Sequence, residues 1–233
     1  TVRERNRRLG LGLMGVHEWL ITRGYRYESN QEFLNWMSVY KGISDAASKY
    51  YSNHLNISRP IANRAIAPTG TIGMLAGTTT GIEPIYSVAY KRRYLDGSKW
   101  KYQYEVESIS HHLIQQGIKE EAIETASDLA RDPERRIKFQ ADVQDFVDMG
   151  ISSTINLPAW GAGSIDPKLF ADVLAKYAHR LRGFTCYPDG ARGGQPLNAV
   201  PYSEAVSRLG TELEENSSYT DICEITGSGH CGI

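Results

Sequence analysis

Apolar positions along this chain recur first at helical intervals and later at strand intervals, and that switch organises the reading. Leu9, Leu13, Val16 and Leu20 stand three or four apart with Gly24 behind them, so residues 2–23 are expected to form one helix. Ser29 and Glu32 have capping-box spacing for a second helix, which carries Phe33, Leu34, Met37 and Tyr40 on towards Tyr51. Its aromatic stripe is expected to face the core. Val106, Ile109, Leu113 and Ile114 return to helical spacing, and a charged helical segment covers 119–130. After a break at Asp132-Pro133, a helix with Val143, Phe146 and Val147 runs to a stop at Gly150.

The period then changes. Ile151, Ser153, Ile155 and Leu157 alternate up to Pro158, which reads as a strand. Asp166 is placed to cap a helix that Pro167 begins, Leu169, Phe170, Val173, Leu174 and Tyr177 mark its apolar face, and Gly183 closes it. Residues 184–187 form a second short strand. Strand, helix and strand make a βαβ unit, whose strands should run parallel with a right-handed crossover. The fold class is therefore α/β.

Between these regions lies the stretch 67–84, APTGTIGMLAGTTTGIEP. Glycine permits close backbone approach, threonine offers hydroxyls, and a helical turn begun at Thr71 would present unpaired N–H groups to an oxyanion. Composition alone leaves an ordinary turn equally open, since this is not the GxxxxGK[ST] phosphate loop. GLGLMG, residues 10–15, matches the dinucleotide GxGxxG formally, but RERNRR before it is no buried strand and Glu32 sits at a helix start. Those glycines are read as sites of close packing. The Tyr-, Lys- and Arg-rich segment 85–104 is read as a solvated hairpin, with one wall of an anion site as the alternative.

Charge and cysteine usage narrow the classes. With 26 basic against 27 acidic residues the net charge is −1, which gives no electrostatic footprint for nucleic acid. No apolar run is long enough for a membrane span, and no signal peptide opens the chain, so a cytoplasmic protein is expected. The three cysteines do not form a secreted disulfide framework. His111 and His112 are adjacent rather than i, i+4, so no metal site is assigned. Residues 211–233 hold few apolar side chains and read as a flexible tail. Its Cys223 and Cys231, flanked by Gly227, Gly229 and Gly232, suit thiol exchange better than half a zinc site with His230.

Five blocks in order carry a resemblance: RRLGLGLMG at 7–15, APTGTIGMLAGTTTGIEPIY at 67–86, SSTINLP at 152–158, LRGFTCYPDGARGGQPL at 181–197, and the terminal cysteine pair. The chain resembles the C-terminal part of the ribonucleotide reductase catalytic subunit, most like the adenosylcobalamin-dependent class (class II). The resemblance implies that residues 1–210 are part of a ten-stranded α/β barrel and that 211–233 form a redox tail. It implies reduction of ribonucleotides to deoxyribonucleotides by radical chemistry, with the substrate's phosphates held by Pro68, Thr69, Gly70, Thr71 and Ile72. Cys223 and Cys231 match the pair that relays reducing equivalents from an external dithiol such as thioredoxin. Adenosylcobalamin would be bound mainly by an N-terminal part of the same enzyme, and a homodimer of the full enzyme fits the family.

The departures matter equally. The N-x-C-x-E radical loop, a second redox pair and the allosteric modules are missing from this sequence, so the chain alone should be catalytically silent. Of two consecutive tyrosines that the di-iron class uses as a relay, only Tyr187 stands here, which favours cobalamin. Cys186 is expected to be a buried strand residue. A half barrel should also expose strand edges and one apolar face, and so self-associate. Two alternatives remain at this point: a di-iron (class I) large-subunit segment, and a non-catalytic nucleotide- or phosphate-binding module derived from the family.

Overall fold

The structure is a computed structural model that describes residues 2–159, 161, 165–189 and 197–214. The chain opens with α1 (Val2–Asn6), β1 (Arg8–Leu11) and α2 (Val16–Thr22). The single helix expected over 2–23 is thus replaced by helix, strand and helix. The leucine spacing is real, but glycines divide it. Gly15 takes a left-handed φ of 74°, and a Cβ on Gly12 would stand 2.8 Å from the Ala65 carbonyl oxygen, so close approach excludes a continuous helix.

α3 (Gln31–His54) is capped by Asn30, whose side chain accepts from the Phe33 amide at 2.9 Å. The expected Ser29/Glu32 capping box is absent: Ser29 bonds to Asp142, and Glu32 pairs with Arg23 and Tyr25. Phe33 and Met37 are buried as expected, but Trp36, Tyr50 and Tyr51 are 47%, 62% and 58% exposed. The distal half of α3 instead turns Ser48 and Ser52 inward, and Ser44 and Asp45 bind the buried guanidinium of Arg64.

β2 (Ala62–Arg64), wholly buried, pairs parallel with β1. α4 (Gly70–Ala76) follows, then the antiparallel hairpin of β3 (Ala89–Asp96) and β4 (Lys99–Val106), turning at Gly97 with φ 62°. The hairpin reading of 85–104 agrees with this. α5 (Ser108–Gln115) is also as expected. The continuous helix read over 119–130 is not formed; it is a 3₁₀ turn, Glu120–Ala122, and α6 (Ala126–Leu129), which the Thr125/Asp128 capping box starts.

α7 (Pro133–Gln144) begins at the supposed break, with Asp132 accepting from the Arg135 amide and Pro133 in its first turn. It ends well before Gly150. The side chain of Gln144 then bonds the carbonyls of Val147 and Met149 and so holds the turn that follows. β5 (Thr154–Leu157), α8 (Pro167–Tyr177) and β6 (Thr185–Pro188) form the expected parallel βαβ unit, with Ile155 opposite Cys186. Asp166 caps α8, but that helix gives way to a 3₁₀ turn, Ala178–Arg180, before Gly183. Cys186 packs at the edge of the cluster of Ile137, Ala141, Ile155, Val173 and Tyr177, where burial pushes its thiol pKa up.

β7 (Leu197–Ala199), α9 (Tyr202–Ser207) and β8 (Glu212–Glu214) complete the described chain. They give a four-stranded antiparallel sheet in the order β7-β3-β4-β8. The three residues of β8 lie beyond the boundary drawn at 210, and residues 215–233 of the expected tail fall outside the described residues.

A parallel bridge between Ile66 and Ile151 joins the β1–β2 pair to the β5–β6 pair, with Ser152 N–H donating to the Ile66 carbonyl at 2.8 Å. Four parallel segments therefore stand side by side in chain order. Among the described residues this row is open and does not close into a barrel. Every residue of β1 is exposed, including Leu9 and Leu11, which is the bare edge expected of a partial sheet. The main core, with Leu20, Tyr27, Phe33, Met37, Ile82, Phe139 and Val143, lies where α2, α3 and α7 meet the chain returning from loop 67–84.

Candidate functional site

Loop 67–84 leaves the C-terminal end of β2, the end at which parallel α/β sheets gather their ligand sites. Thr69 adopts φ 51°, a left-handed conformation that a β-branched residue takes only when its surroundings impose it. The surroundings are visible: its hydroxyl oxygen accepts from the Gly81 amide at 2.8 Å, and its carbonyl accepts from Gly73 N–H at 2.7 Å. α4 starts at Gly70, one residue before the expected Thr71. The amides of Gly70, Thr71 and Ile72 therefore precede the first intrahelical bond, and all three residues are exposed together with Pro68. The Thr69 hydroxyl, having accepted one hydrogen bond, still carries a proton to donate. Gly70, Thr71 and Ile72 thus form a contiguous, exposed run of backbone donors beside the half-buried Thr69 hydroxyl, and Pro68, which has no N–H to give, is exposed next to them.

The returning half of the loop is secured residue by residue. Thr78 donates to the Glu18 carboxylate, the Thr79 carbonyl accepts from Gly15 N–H at 2.7 Å, and the Thr79 hydroxyl accepts from Glu18 N–H at 3.3 Å. The N-terminus of α2 is occupied by these contacts, which agrees with the close-packing reading of GLGLMG at Gly12 and Gly15, whereas a Cβ on Gly10 would meet nothing within 4 Å. Tyr27 donates to the Ile82 carbonyl, and Ile85 N–H donates to His17 Nδ1 at 2.8 Å. His17 must be neutral to accept that bond; burial, with the Arg136 charge adding to it, lowers its pKa to about 3.

Glu83 and Arg136 close the arrangement. Arg136, 2% exposed, places Nη2 at 2.7 Å from Glu83 Oε2, 2.9 Å from the Thr154 carbonyl and 3.2 Å from Ser153 Oγ, while Nη1 bonds the Tyr27 phenol. Glu83 Oε1 accepts from Thr154 N–H at 2.6 Å. Burial raises the Tyr27 pKa well above the ordinary phenol value, against the opposing pull of Arg136, so the phenol stays a donor. Glu124 joins this corner to α7 through Arg135 and to the chain through Tyr27 N–H. Burial alone would raise its pKa, but the bonds from Arg135, Tyr27 and Arg26 outweigh it and hold the carboxyl at about 2.

The sequence reading missed Tyr27, His17 and Arg136. Arg136 did leave a signal: with Phe139, Gln140 and Val143 it forms the i, i+3, i+4, i+7 buried face of α7, and an arginine in such a stripe requires partners. Cys223 and Cys231 lie outside the described residues. His111 bonds Tyr202 at 2.8 Å, as a packing residue would. Among the described residues no group of three or more His, Cys, Asp or Glu is placed to hold a metal ion, and no helix is long and apolar enough to cross a membrane. A cavity of about 690 Å³ lies between the first turns of α7 and α8, but Asp132 and Asp166 occupy the amides there and no residue of loop 67–84 lines it.

Comparison with known proteins adds an independent finding. The family model described as "Ribonucleotide reductase, barrel domain" matches residues 61–187. A vitamin B12-dependent ribonucleoside-diphosphate reductase of Mycobacterium tuberculosis is 27% identical over 245 residues, covering 89% of this chain and 35% of the relative. A putative adenosylcobalamin-dependent ribonucleoside-triphosphate reductase of Mycobacterium phage D29 is 37% identical over 95 residues, 40% of this chain and 14% of that protein. The crystal structure of a B12-dependent (class II) ribonucleotide reductase superposes with a TM-score of 0.70 at 16% identity, over 89% of this chain and 33% of that one. The chain spans about a third of the length of the relatives it matches along most of its own.

Proposed function

The chain belongs to the ribonucleotide reductase barrel-domain family, and from that premise we propose that it is the C-terminal segment of an adenosylcobalamin-dependent enzyme reducing ribonucleotides to deoxyribonucleotides. In this reading the parallel row is a share of a ten-stranded barrel completed by an N-terminal part. Pro68, Thr69, Gly70, Thr71 and Ile72 hold the substrate's phosphates, and Cys223 and Cys231 relay electrons from a thioredoxin-like dithiol. The enzyme works in the cytoplasm, and a homodimer of the whole is compatible with it.

The observation that carries the proposal is the exposed first turn of α4 under a left-handed Thr69, at the C-terminal end of a parallel strand. Backbone amides in that position bind oxyanions without a cationic side chain, which suits a nucleotide whose sugar must remain open to chemistry. Adenosylcobalamin would supply the radical that starts the reaction. Its contacts are assigned to the remainder of the enzyme, and no step of this chain runs through it.

The test combines this chain with a polypeptide supplying the N-terminal part, a ribonucleotide, a dithiol and adenosylcobalamin. Deoxyribonucleotide should form only when all are present. Replacing Cys223 and Cys231 by Ser should abolish repeated turnover while sparing the first. A folded complex that makes no product would overturn the reading, and activity independent of cobalamin would move the enzyme to the di-iron class.

A further inference from the structure

We propose that Glu83 and Arg136, with Tyr27, are positioning residues that fix the phosphate loop at the height its ligand requires. The inference rests on the phosphate reading of residues 68–72 and adds the group that sets their geometry. Arg136 projects from α7, Glu83 lies on the return of loop 67–84, and Ser153 and Thr154 lead into β5, so one guanidinium ties three elements together. From Glu83 the path to the donor surface is short. Two residues back is Gly81, whose amide bonds the Thr69 hydroxyl, and Thr69 holds the start of α4 through Gly73.

A site made of backbone amides has no long side chain that can adjust to its ligand. Its affinity depends on how well the amides are already placed, because any loop ordering on binding subtracts from the interaction. The contacts that α4 itself makes are few: Gly73 is its buried residue. The rigid reference must therefore come from the return of the loop, and the ion pair there is nearly closed to solvent on the arginine side. The same bonds would also serve simple fold stability, and the experiment separates the two roles by ligand rather than by melting alone.

Equilibrium binding is measured on the complex of this chain with its complementing N-terminal part, using a nucleoside diphosphate and the same nucleoside without phosphates. Glu83→Gln keeps the acceptor for Thr154 N–H and the side-chain shape while removing the charge. It should weaken diphosphate binding about tenfold and leave nucleoside binding unchanged. Tyr27→Phe, which removes only the phenol shared by Arg136 and Ile82, should show the same selectivity to a smaller degree and covers the case in which Glu83→Gln fails to fold. Equal weakening of both ligands, or unchanged diphosphate affinity in both variants, overturns the proposal. Thr69→Val run in parallel keeps the two levels apart. If Thr69→Val leaves the preference for diphosphate intact, the phosphate reading itself fails; if Thr69→Val loses it and neither Glu83→Gln nor Tyr27→Phe does, only the positioning role fails.

Discussion

The two halves of loop 67–84 are built on opposite principles. The outgoing half leaves Ile72, Met74 and Leu75 at 60%, 75% and 89% exposure, although burying such side chains is worth roughly 1.5–3 kcal/mol each. The returning half, with Ile85 just beyond it, buries Thr79, Gly81, Ile82 and Ile85 and bonds Thr78, Thr79, Ile82, Glu83 and Ile85 to α2, Tyr27, α7 and the start of β5. The bare amides of the outgoing half are not satisfied within the fold, so the stability of the loop is located in neighbouring residues, and here those residues follow directly along the chain.

That contrast can be broken most severely at its anchor. Arg136→Met should cost about 3–5 kcal/mol, because it strands the Glu83 carboxylate beside a buried phenol; denaturant unfolding measures the loss. Gly73→Val attacks the junction of the halves, where a Cβ would stand 2.8 Å from Thr80 Cγ2 and 3.2 Å from the Thr78 carbonyl. A cost of about 1–3 kcal/mol is expected, with the same measurement.

Acid sharpens the comparison from the His17 side. The folded pKa of His17 is lowered from 6.5 to about 3, so the unfolded chain takes up the proton first. Its contribution is complete above the unfolded value and is lost as pH falls below it, at up to about 1.4 kcal/mol per pH unit. Unfolding midpoints taken between about pH 6.5 and about pH 4.5 should fall, and His17→Gln should flatten that slope. Glu124 adds to the fall only towards the lower edge of this window, since its contribution is complete above its unfolded value of 4.5 and is lost from there down to about 2. The smallest effect belongs to the exposed half: Leu75→Ser should change unfolding stability by less than about 0.5 kcal/mol. A large loss there would mean that the outgoing half is not the unsupported surface its exposure indicates.

Local signals carried the βαβ unit into view. Alternation from Ile151 to Leu157, the Asp166-Pro167 start and the apolar face of α8 are each decided within a few residues; the structure places the helix start as read, shortens the strand to Thr154–Leu157 with a single bridge at Ile151, and buries Val173 and Tyr177 while leaving Leu169 exposed. β1 and β2 were hidden because strands of four and three residues leave no period to count, and Leu9 fell into a helical pattern with residues that belong to α2. Buried charge was hidden for another reason. Arg64 sits at 1% exposure between Asp45 and Asp148, partners 19 and 84 residues away in sequence. A lone arginine in sequence reads as surface, and only the folded chain brings its carboxylates to it. The α3 stripe holds at Phe33 and Met37 but not at Tyr51, because the distal half of the helix turns Ser48 and Ser52 inward and gives Ser44 and Asp45 to Arg64. Of the candidate site, the Gly/Thr turn that starts α4 could be read from the sequence, whereas the corner of Tyr27, Glu83 and Arg136 beside it could not.

β8 has a consequence of reach. Glu212–Glu214 are stitched to Lys101, Tyr102 and Gln103 of β4, so the chain departs from a fixed point at the rim of the antiparallel sheet. Cys223 follows Glu214 by nine residues and Cys231 by seventeen. Covalent geometry gives these leashes maximum lengths of about 30 Å and about 60 Å. Whatever thiol chemistry the pair performs is confined to two concentric spheres about that rim, and shortening the leash by deletion would shrink them without altering either sulfur.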